Sequence, residues 1–304
     1  ETGSTVAGAS FGLYNKNEIK SGDNVIVKAD TLLQEITSDE KGQAHFTLDL
    51  PLGTYYVKEI SAPDGFVSSD EILEFDATYQ GQDIPTIKLK SVKKNQPTTI
   101  EVTKSDLTTG VELEGARLKV MDKDGNVIDE WTSEKDKPHV IKRLVVGETY
   151  TLHEEFAPYG YLKATDVTFT VKDTAEVQKV EMKDDVTKVQ ISKTDITGET
   201  EIPGAKLTVL DKDDQVVESW TSTEEAHYIE KLPIGKYILR EEQAPKGYLL
   251  TSDVTFEVKD TGEIQKVAMK DDTAKGKVIL NKTDKSSGEP LKGVEFELRD
   301  SKGK

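Results

Sequence analysis

The sequence predicts an all-β chain: a tandem array of immunoglobulin-like β-sandwich domains. Three observations carry that prediction. Period-2 runs such as Ala116–Met121, Thr149–Glu154 and Asp166–Val171 alternate with turn signals such as Asp122-Lys-Asp-Gly125 and Pro158-Tyr-Gly160, and no long amphipathic helix interrupts them. One strand-like segment ending in lysine is written three times, as Thr99–Asp106, Lys188–Asp195 and Lys277–Asp284. Its lysines, Lys104, Lys193 and Lys282, stand 89 residues apart, which sets a domain size of about 90 residues.

The landmarks of the repeat follow in a fixed order. Gly8-Ala9, Gly115-Ala116, Gly204-Ala205 and Gly293-Val294 open the second strand. Trp131-Thr-Ser133 recurs as Trp220-Thr-Ser222. A Tyr-x-x-x-Glu-x-x-Ala-Pro-x-Gly-aromatic box spans Tyr55–Phe66, Tyr150–Tyr161 and Tyr237–Tyr248, and Val180–Asp185 recurs as Val267–Asp272. Residues 98–186 and 187–274 are therefore predicted to be complete repeats. Residues 5–97 read as a repeat without its lysine-bearing first strand, and residues 275–304 as the first strands of a further, truncated one. Glu1–Ser4 reads as the remnant of an expression tag, so the lack of a targeting signal carries no weight.

Composition narrows the function classes. A net charge of −17, with acidic and basic residues interspersed, disfavours nucleic acid and anionic membrane as partners. No segment approaches transmembrane length. The absence of cysteine excludes disulfide staples, thiol catalysis and cysteine-built zinc sites.

Each repeated lysine falls on the same strand face as Ile, Val or Leu. Burying an isolated ammonium is costly, so the repetition asks for a chemical reason. The Lys-x-Asp strand, the Gly-Ala strand, the Ala-Pro box and the last-strand Met-x-Asp together resemble the collagen-adhesin B-type, or SpaA-like prealbumin-type, domains of Gram-positive adhesins and pilins. The resemblance covers essentially the whole chain after residue 4. It implies β-sandwiches that form an intramolecular isopeptide bond: a first-strand lysine joins a last-strand Asn or Asp, assisted by the glutamate of the Ala-Pro box. Carried onto this sequence, it implies Lys104 with Asp184 and Glu154, and Lys193 with Asp271 and Glu241. Strand parity favours Asp184 over Asp185 and Asp271 over Asp272, because Val180 and Met182, like Val267 and Met269, share their face. The position four residues before the proline favours Glu154 over Glu155 and Glu241 over Glu242.

The chemistry expected of such a site follows from desolvation. Burial favours a neutral, nucleophilic amine and a protonated carboxyl, while the glutamate polarises the acceptor and shuttles protons. Each domain would react once, so the chain is expected to modify itself and not to act as an enzyme.

Other motifs read more simply. Asp122–Gly125 lacks the later bidentate acid of a calcium loop and is expected to be a hairpin turn. His45, His139 and His227 occupy similar places, one per repeat, too few for a metal site and consistent with strand packing. Trp131 and Trp220 read as packing residues, and Glu154-Glu155 as no glycosidase pair. No cofactor and no metal is expected.

The ends differ. The first repeat keeps a glutamate, Glu59, and a candidate acceptor, Asn95, but has no first-strand lysine, while Lys282 has a strand without a sandwich around it. Strand addition between molecules, with Lys282 meeting Asn95, is one expectation; trimmed, unpaired ends are the other. The whole reads as a stalk segment of an extracellular, cell-wall-anchored surface adhesin. A host-matrix-binding module, through a head domain or through residues 5–97, which diverge notably at Lys16–Lys28, or a pilus backbone subunit, is the alternative.

Overall fold

In the computed structural model of the chain, residues 5–81 and 90–303 are described, and every regular element among them is a β-strand. The reading of Glu1–Ser4 as a tag remnant lies outside the described residues. The chain divides into two compact units, residues 1–189 with 229–235 and 258–265, and the remainder.

The first repeat contains β1 (Ser10–Asn15), β2 (Ile19–Ser21), β3 (Asn24–Val27), β4 (Leu32–Thr37), β5 (Gly53–Ser61) and β6 (Ile72–Ala77). Its principal sheet runs β4-β1-β5-β6, and β2 and β3 form a separate hairpin. The second repeat contains β7 (Thr99–Asp106), β8 (Arg117–Met121), β9 (Val127–Thr132), β10 (His139–Lys142), β11 (Thr149–Phe156), β12 (Val167–Thr170) and β13 (Gln178–Asp184). These make two sheets, β12-β11-β8-β9 and β10-β7-β13. The third repeat, β14 (Lys188–Asp195), β15 (Lys206–Leu210), β16 (Val216–Thr221), β17 (His227–Glu230), β18 (Gly235–Gln243), β19 (Val254–Val258) and β20 (Gln265–Asp271), copies that plan as β16-β15-β18-β19 and β17-β14-β20.

The core of the second repeat lies between its two sheets. Ile100 and Val102 of β7 and Met182 of β13 close on Leu118, Val120 and Leu152 of the facing sheet. Alternation puts every second side chain inside, so the inward face of β7 continues from Ile100 and Val102 to Lys104, and that of β13 from Val180 and Met182 to Asp184. The two strands are parallel neighbours with Met182 opposite Lys104, which leaves Asp184 on the diagonal, within reach of a long side chain.

The lysine strand is the middle strand of its sheet, and the first repeat has no such strand among its described residues. Of the two sandwich sheets only the four-stranded one forms among the described residues there, and its core cluster is Leu13, Tyr55 and Ala77 with partly buried neighbours such as Phe46 and Phe75. Residues 44–50 and 90–95, which follow the sequence order of β10 and β13, form no ladder. The strand expected at 277–282 is likewise unpaired, because a strand with no neighbour has no ladder to join. What the tail does keep is the turn after it: Asp284 N–H donates to Glu289 O (2.8 Å) and Leu291 N–H to Lys282 O (2.9 Å).

The smaller motifs resolve in the same terms. Asp122 Oδ1 accepts from the N–H groups of Asp124 and Asn126, both at 2.9 Å, closing a hairpin turn. Trp131 stacks on His139 at 4.1 Å between ring centroids and Trp220 on His227 at 4.2 Å, as side-chain packing within the repeat. His45 has no such tryptophan and its Nε2 meets Gln43 Oε1 at 3.0 Å. Among the described residues no cluster of metal-ligating side chains occurs, and no helix is long and apolar enough to cross a membrane.

Candidate functional site

Three charged side chains meet in the core of the second repeat. Lys104 from β7, Glu154 from β11 and Asp184 from β13 are 4%, 0% and 1% exposed. Lys104 Nζ stands 3.0 Å from Glu154 Oε1 and in contact with Asp184 Oδ1. The other glutamate oxygen, Oε2, accepts the backbone N–H of Ala164 at 2.7 Å, which fixes the carboxyl in place. The lysine contact with Glu154 Oε1 is ionic without hydrogen-bond alignment, so Glu154 Oε1 and Asp184 Oδ2 have no hydrogen-bond partner.

The third repeat builds the same site from β14, β18 and β20. Lys193, Glu241 and Asp271 are all buried. Lys193 Nζ lies 2.8 Å from Glu241 Oε1 and in contact with Asp271 Oδ1, and Glu241 Oε2 accepts the Thr251 N–H at 2.9 Å. Glu241 Oε1 and Asp271 Oδ2 again lack a hydrogen-bond partner.

Two buried carboxyls and one buried amine cannot all keep their charges cheaply. Burial is the largest influence on Asp184 and pushes its carboxyl up to about 7; Lys104 opposes the rise, and the neighbouring Glu154 adds to it. Asp271 is raised for the same reasons, burial first, against the opposing pull of Lys193. The arrangement therefore brings an amine nitrogen against a carboxyl whose protonated form is favoured, beside a second, positioned carboxyl. Those are the components of amide formation.

All six residues singled out in the two complete repeats are thus brought together, three by three. In the first repeat Glu59 and Asn95 also meet: Asn95 Nδ2 donates to Glu59 Oε1 at 2.7 Å, and Ser69 N–H donates to Glu59 Oε2 at 3.0 Å. Among the described residues no lysine amine forms an ion pair with Glu59. Lys93 turns aside to the carbonyls of Ser69 (3.1 Å) and Glu71 (2.9 Å). Lys282 is exposed in the tail.

Sequence reasoning missed the backbone donors. In each repeat the N–H ten residues after the glutamate holds it, from Ser69, Ala164 and Thr251, three unlike residues whose side chains give no signal. The aspartate of Lys-x-Asp was visible, and its work is structural. Asp106 Oδ1 accepts from Thr108 and Thr109 N–H, and Oδ2 from the Tyr161 hydroxyl at 2.9 Å. Those bonds, led by that from Thr109, hold its carboxyl down to about 2.

Comparison with known proteins gives the family of these repeats. The family of the SpaA prealbumin-like fold domain matches residues 1–93, 98–186 and 187–273. Among solved structures, the Bacillus anthracis TIE protein is 26% identical over 90% of this chain and 49% of its own, at a TM-score of 0.46. The chain thus spans about half the length of that relative. BcpA, the major pilin subunit of Bacillus cereus, is 16% identical over 88% of this chain and 95% of its own, at a TM-score of 0.36. A streptococcal ancillary pilin is 19% identical over 88% and 93%, at a TM-score of 0.35. No curated protein sequence matches. With three matched segments accounting for most of its length, the chain belongs to the SpaA family of prealbumin-like fold domains, which it carries in tandem.

Proposed function

We propose that this chain is a stalk segment of an extracellular, cell-wall-anchored bacterial surface protein, an adhesin or a pilus-like assembly. In this reading its two complete domains seal themselves with Lys–Asp amide bonds. One observation carries it: a buried lysine–glutamate–aspartate cluster that bridges the first and last strands of a domain, built twice from the same sequence positions.

In the second repeat, Lys104 in its neutral form attacks Cγ of the protonated Asp184. The Nζ–Cγ bond forms, a Cγ–O bond breaks, and one water leaves. Glu154 takes the proton from the attacking nitrogen and delivers one to the departing oxygen. The new amide N–H then donates to the Glu154 carboxylate, which gives an unpartnered buried acceptor a partner. Lys193, Glu241 and Asp271 repeat the sequence in the third domain. Each site reacts once, so nothing turns over.

The bond would close a loop of 80 residues in one domain and 78 in the next. By the loop-entropy argument applied to disulfides, each contributes roughly 4–5 kcal/mol. An amide also resists reduction, which suits a cysteine-free chain outside the cell.

Intact mass of the denatured protein tests this directly. The expected result is a deficit of one water per complete domain, with one water regained in Glu154→Ala and another in Glu241→Ala. Peptide mapping should find Lys104 joined to Asp184 and Lys193 to Asp271. The full calculated mass for the unmodified chain would rule the reading out.

One observation favours a second reading for the first domain alone. Its β2–β3 hairpin has no counterpart in the other repeats and exposes Val25 and Ile26. As a contact for a host matrix protein, that hairpin would bind in a panel screen of such proteins, and a Val25→Asp/Ile26→Asp variant would not.

A further inference from the structure

In the second repeat, Glu154 and the two strands it works between are tied together by one short segment, and that segment is gripped from the following repeat. The segment is Tyr161–Ala164, at the end of the Ala-Pro box. Ala164 N–H holds Glu154 Oε2 at 2.7 Å. Leu162 N–H donates to the carbonyl of Asp185, the residue after the acceptor Asp184, at 2.9 Å. The Tyr161 hydroxyl donates to Asp106 Oδ2 at 2.9 Å, two residues beyond Lys104 on the lysine strand. Beside Asp106, Leu107 N–H donates to the Asp184 carbonyl at 2.8 Å. One segment thus touches the glutamate, the strand of the amine and the strand of the carboxyl.

The grip comes from Lys231. Residues 229–235 of the third repeat belong to the same compact unit as the second repeat. Lys231 N–H donates to Thr187 O at 3.0 Å and Thr187 N–H to Gly160 O at 3.3 Å, so the backbone beside the box is anchored first. Gly160, at φ +79°, packs so closely that a Cβ there would lie 2.5 Å from the Lys231 carbonyl oxygen. From this anchor Lys231 Nζ donates to the Tyr161 hydroxyl at 2.8 Å and stands 3.8 Å from Asp106 Oδ2. It also lies 4.8 Å from the centre of the Tyr161 ring. A cation donating to a hydroxyl that itself donates to a carboxylate polarises both bonds in the same sense. Asp106 is buried, so this chain of bonds ends out of water, while Lys231 is half exposed, which weakens its own share.

The third repeat shows the backbone half of this arrangement. Leu249 N–H donates to Asp272 O and Thr251 N–H to Glu241 Oε2, both at 2.9 Å. Asp195 Oδ1 accepts from the N–H groups of Thr197 and Gly198, and among the described residues no hydrogen bond joins it to the Tyr248 hydroxyl.

We propose that Tyr161 and Lys231 are positioning residues for the Lys104–Asp184 bond. A lysine of the following repeat holds the tyrosine on Asp106, and so keeps amine, carboxyl and glutamate together in the second domain. The role rests on the amide chemistry proposed above. It acts on rate, because a misplacement of the reacting atoms by one ångström costs about 10²-fold. Losing one anchor of several shifts the strand by less. The expected slowing is about tenfold for Tyr161→Phe, which removes both bonds to the hydroxyl, and about threefold for Lys231→Met, which removes the exposed one.

The test follows the full chain through cell-free translation, with portions quenched in denaturant at intervals, digested, and the two cross-linked peptides quantified by mass. Expected is slower appearance of the Lys104–Asp184 peptide in both variants, with the Lys193–Asp271 peptide keeping its rate as an internal clock. Lys231→Arg, which retains cation and donor, should restore the wild-type rate, and Lys231→Met should add nothing to Tyr161→Phe. Lys, Arg and Met meet the same left-handed strain at φ +62°, so these variants differ in the side chain alone. Urea unfolding of the same variants on a Glu154→Ala background, where the proposed bond is lost, reads stability separately. Rates that fall only in proportion to the folded fraction would overturn the proposal, as would a Lys231→Met loss that arginine fails to restore. Two failures are told apart by the wild type. If neither cross-linked peptide forms there, the bond itself is wrong and the positioning role falls with it. If both form, and form as fast in every variant, the bond stands and the role alone is overturned.

Discussion

Lys104 sits at the end of a face that begins Ile100 and Val102, and there its ammonium gains two carboxyl neighbours in exchange for water. Breaking a buried charge cluster by removing one member costs more than the cluster contributes when whole. Removing Lys104 strands two acids. Asp184 is already raised to about 7 against the pull of the lysine, so in Lys104→Met its carboxyl stays protonated to at least that pH when folded. The unfolded chain releases the proton near 3.8. The folded state therefore binds more protons between those values, and stability falls as pH rises through the window. Lys104→Met is expected to lose on the order of 3 kcal/mol of stability in the second domain between pH 4 and 8, read by urea unfolding at each pH. The wild-type chain, with that carboxyl consumed in an amide, should show a much flatter profile. A steep wild-type profile would count against the bond. The opposite sign holds for Asp106, whose carboxyl is held down to about 2, chiefly by Thr109 N–H. Asp106→Ala should lose stability at neutral pH and little at pH 2.

At the scale of elements, the joint between the first and second repeats is built from the end of the Ala-Pro box. Gly65, at φ +81°, packs on Arg143, and a Cβ there would lie 2.6 Å from the Arg143 carbonyl oxygen. Thr98 N–H donates to Gly65 O at 3.0 Å, and Arg143 lies over the Phe66 ring. Gly65→Ala thus combines about 1–2 kcal/mol of left-handed strain with a backbone collision. Gly110→Ala shares the strain but meets nothing within 4 Å. Hydrogen exchange should show Thr98 N–H opening markedly faster in Gly65→Ala and unchanged in Gly110→Ala. The glycine of the box was legible in the sequence as a recurring turn; its neighbour across the joint was not, because contact between repeats leaves no periodicity. The same division runs through the site. Parity placed Asp184 and Asp271 on the inward face, and repetition located the lysines and glutamates. The backbone donors at Ala164 and Thr251 were invisible, since an N–H is common to nearly every residue. That the lysine strand is the middle of its sheet was also beyond the sequence, because strand order is set by pairing and not by succession along the chain.

For the whole molecule, the consequence of the proposed bonds is a path for force. The chain enters the second domain at β7 and leaves it after β13, and these two strands are parallel neighbours. Tension on the ends loads their ladder in shear, and a Lys104–Asp184 amide joins them near the point of exit. Force would then pass from Thr99 to Lys104, across the amide, and on from Asp184, leaving everything between unloaded. The third domain repeats the path through Lys193 and Asp271. Pulled by its ends, the wild-type chain should therefore show no extension step from either complete domain. Glu154→Ala would lose the bond in the second domain alone and release 80 residues there, a step approaching ~280 Å at full extension. Glu241→Ala would release 78 residues in the third, and the double variant both. A wild-type chain that yields these steps below the force needed to break a covalent bond would show that its domains hold only by packing, and the mechanical role assigned to the buried lysines would fall with it.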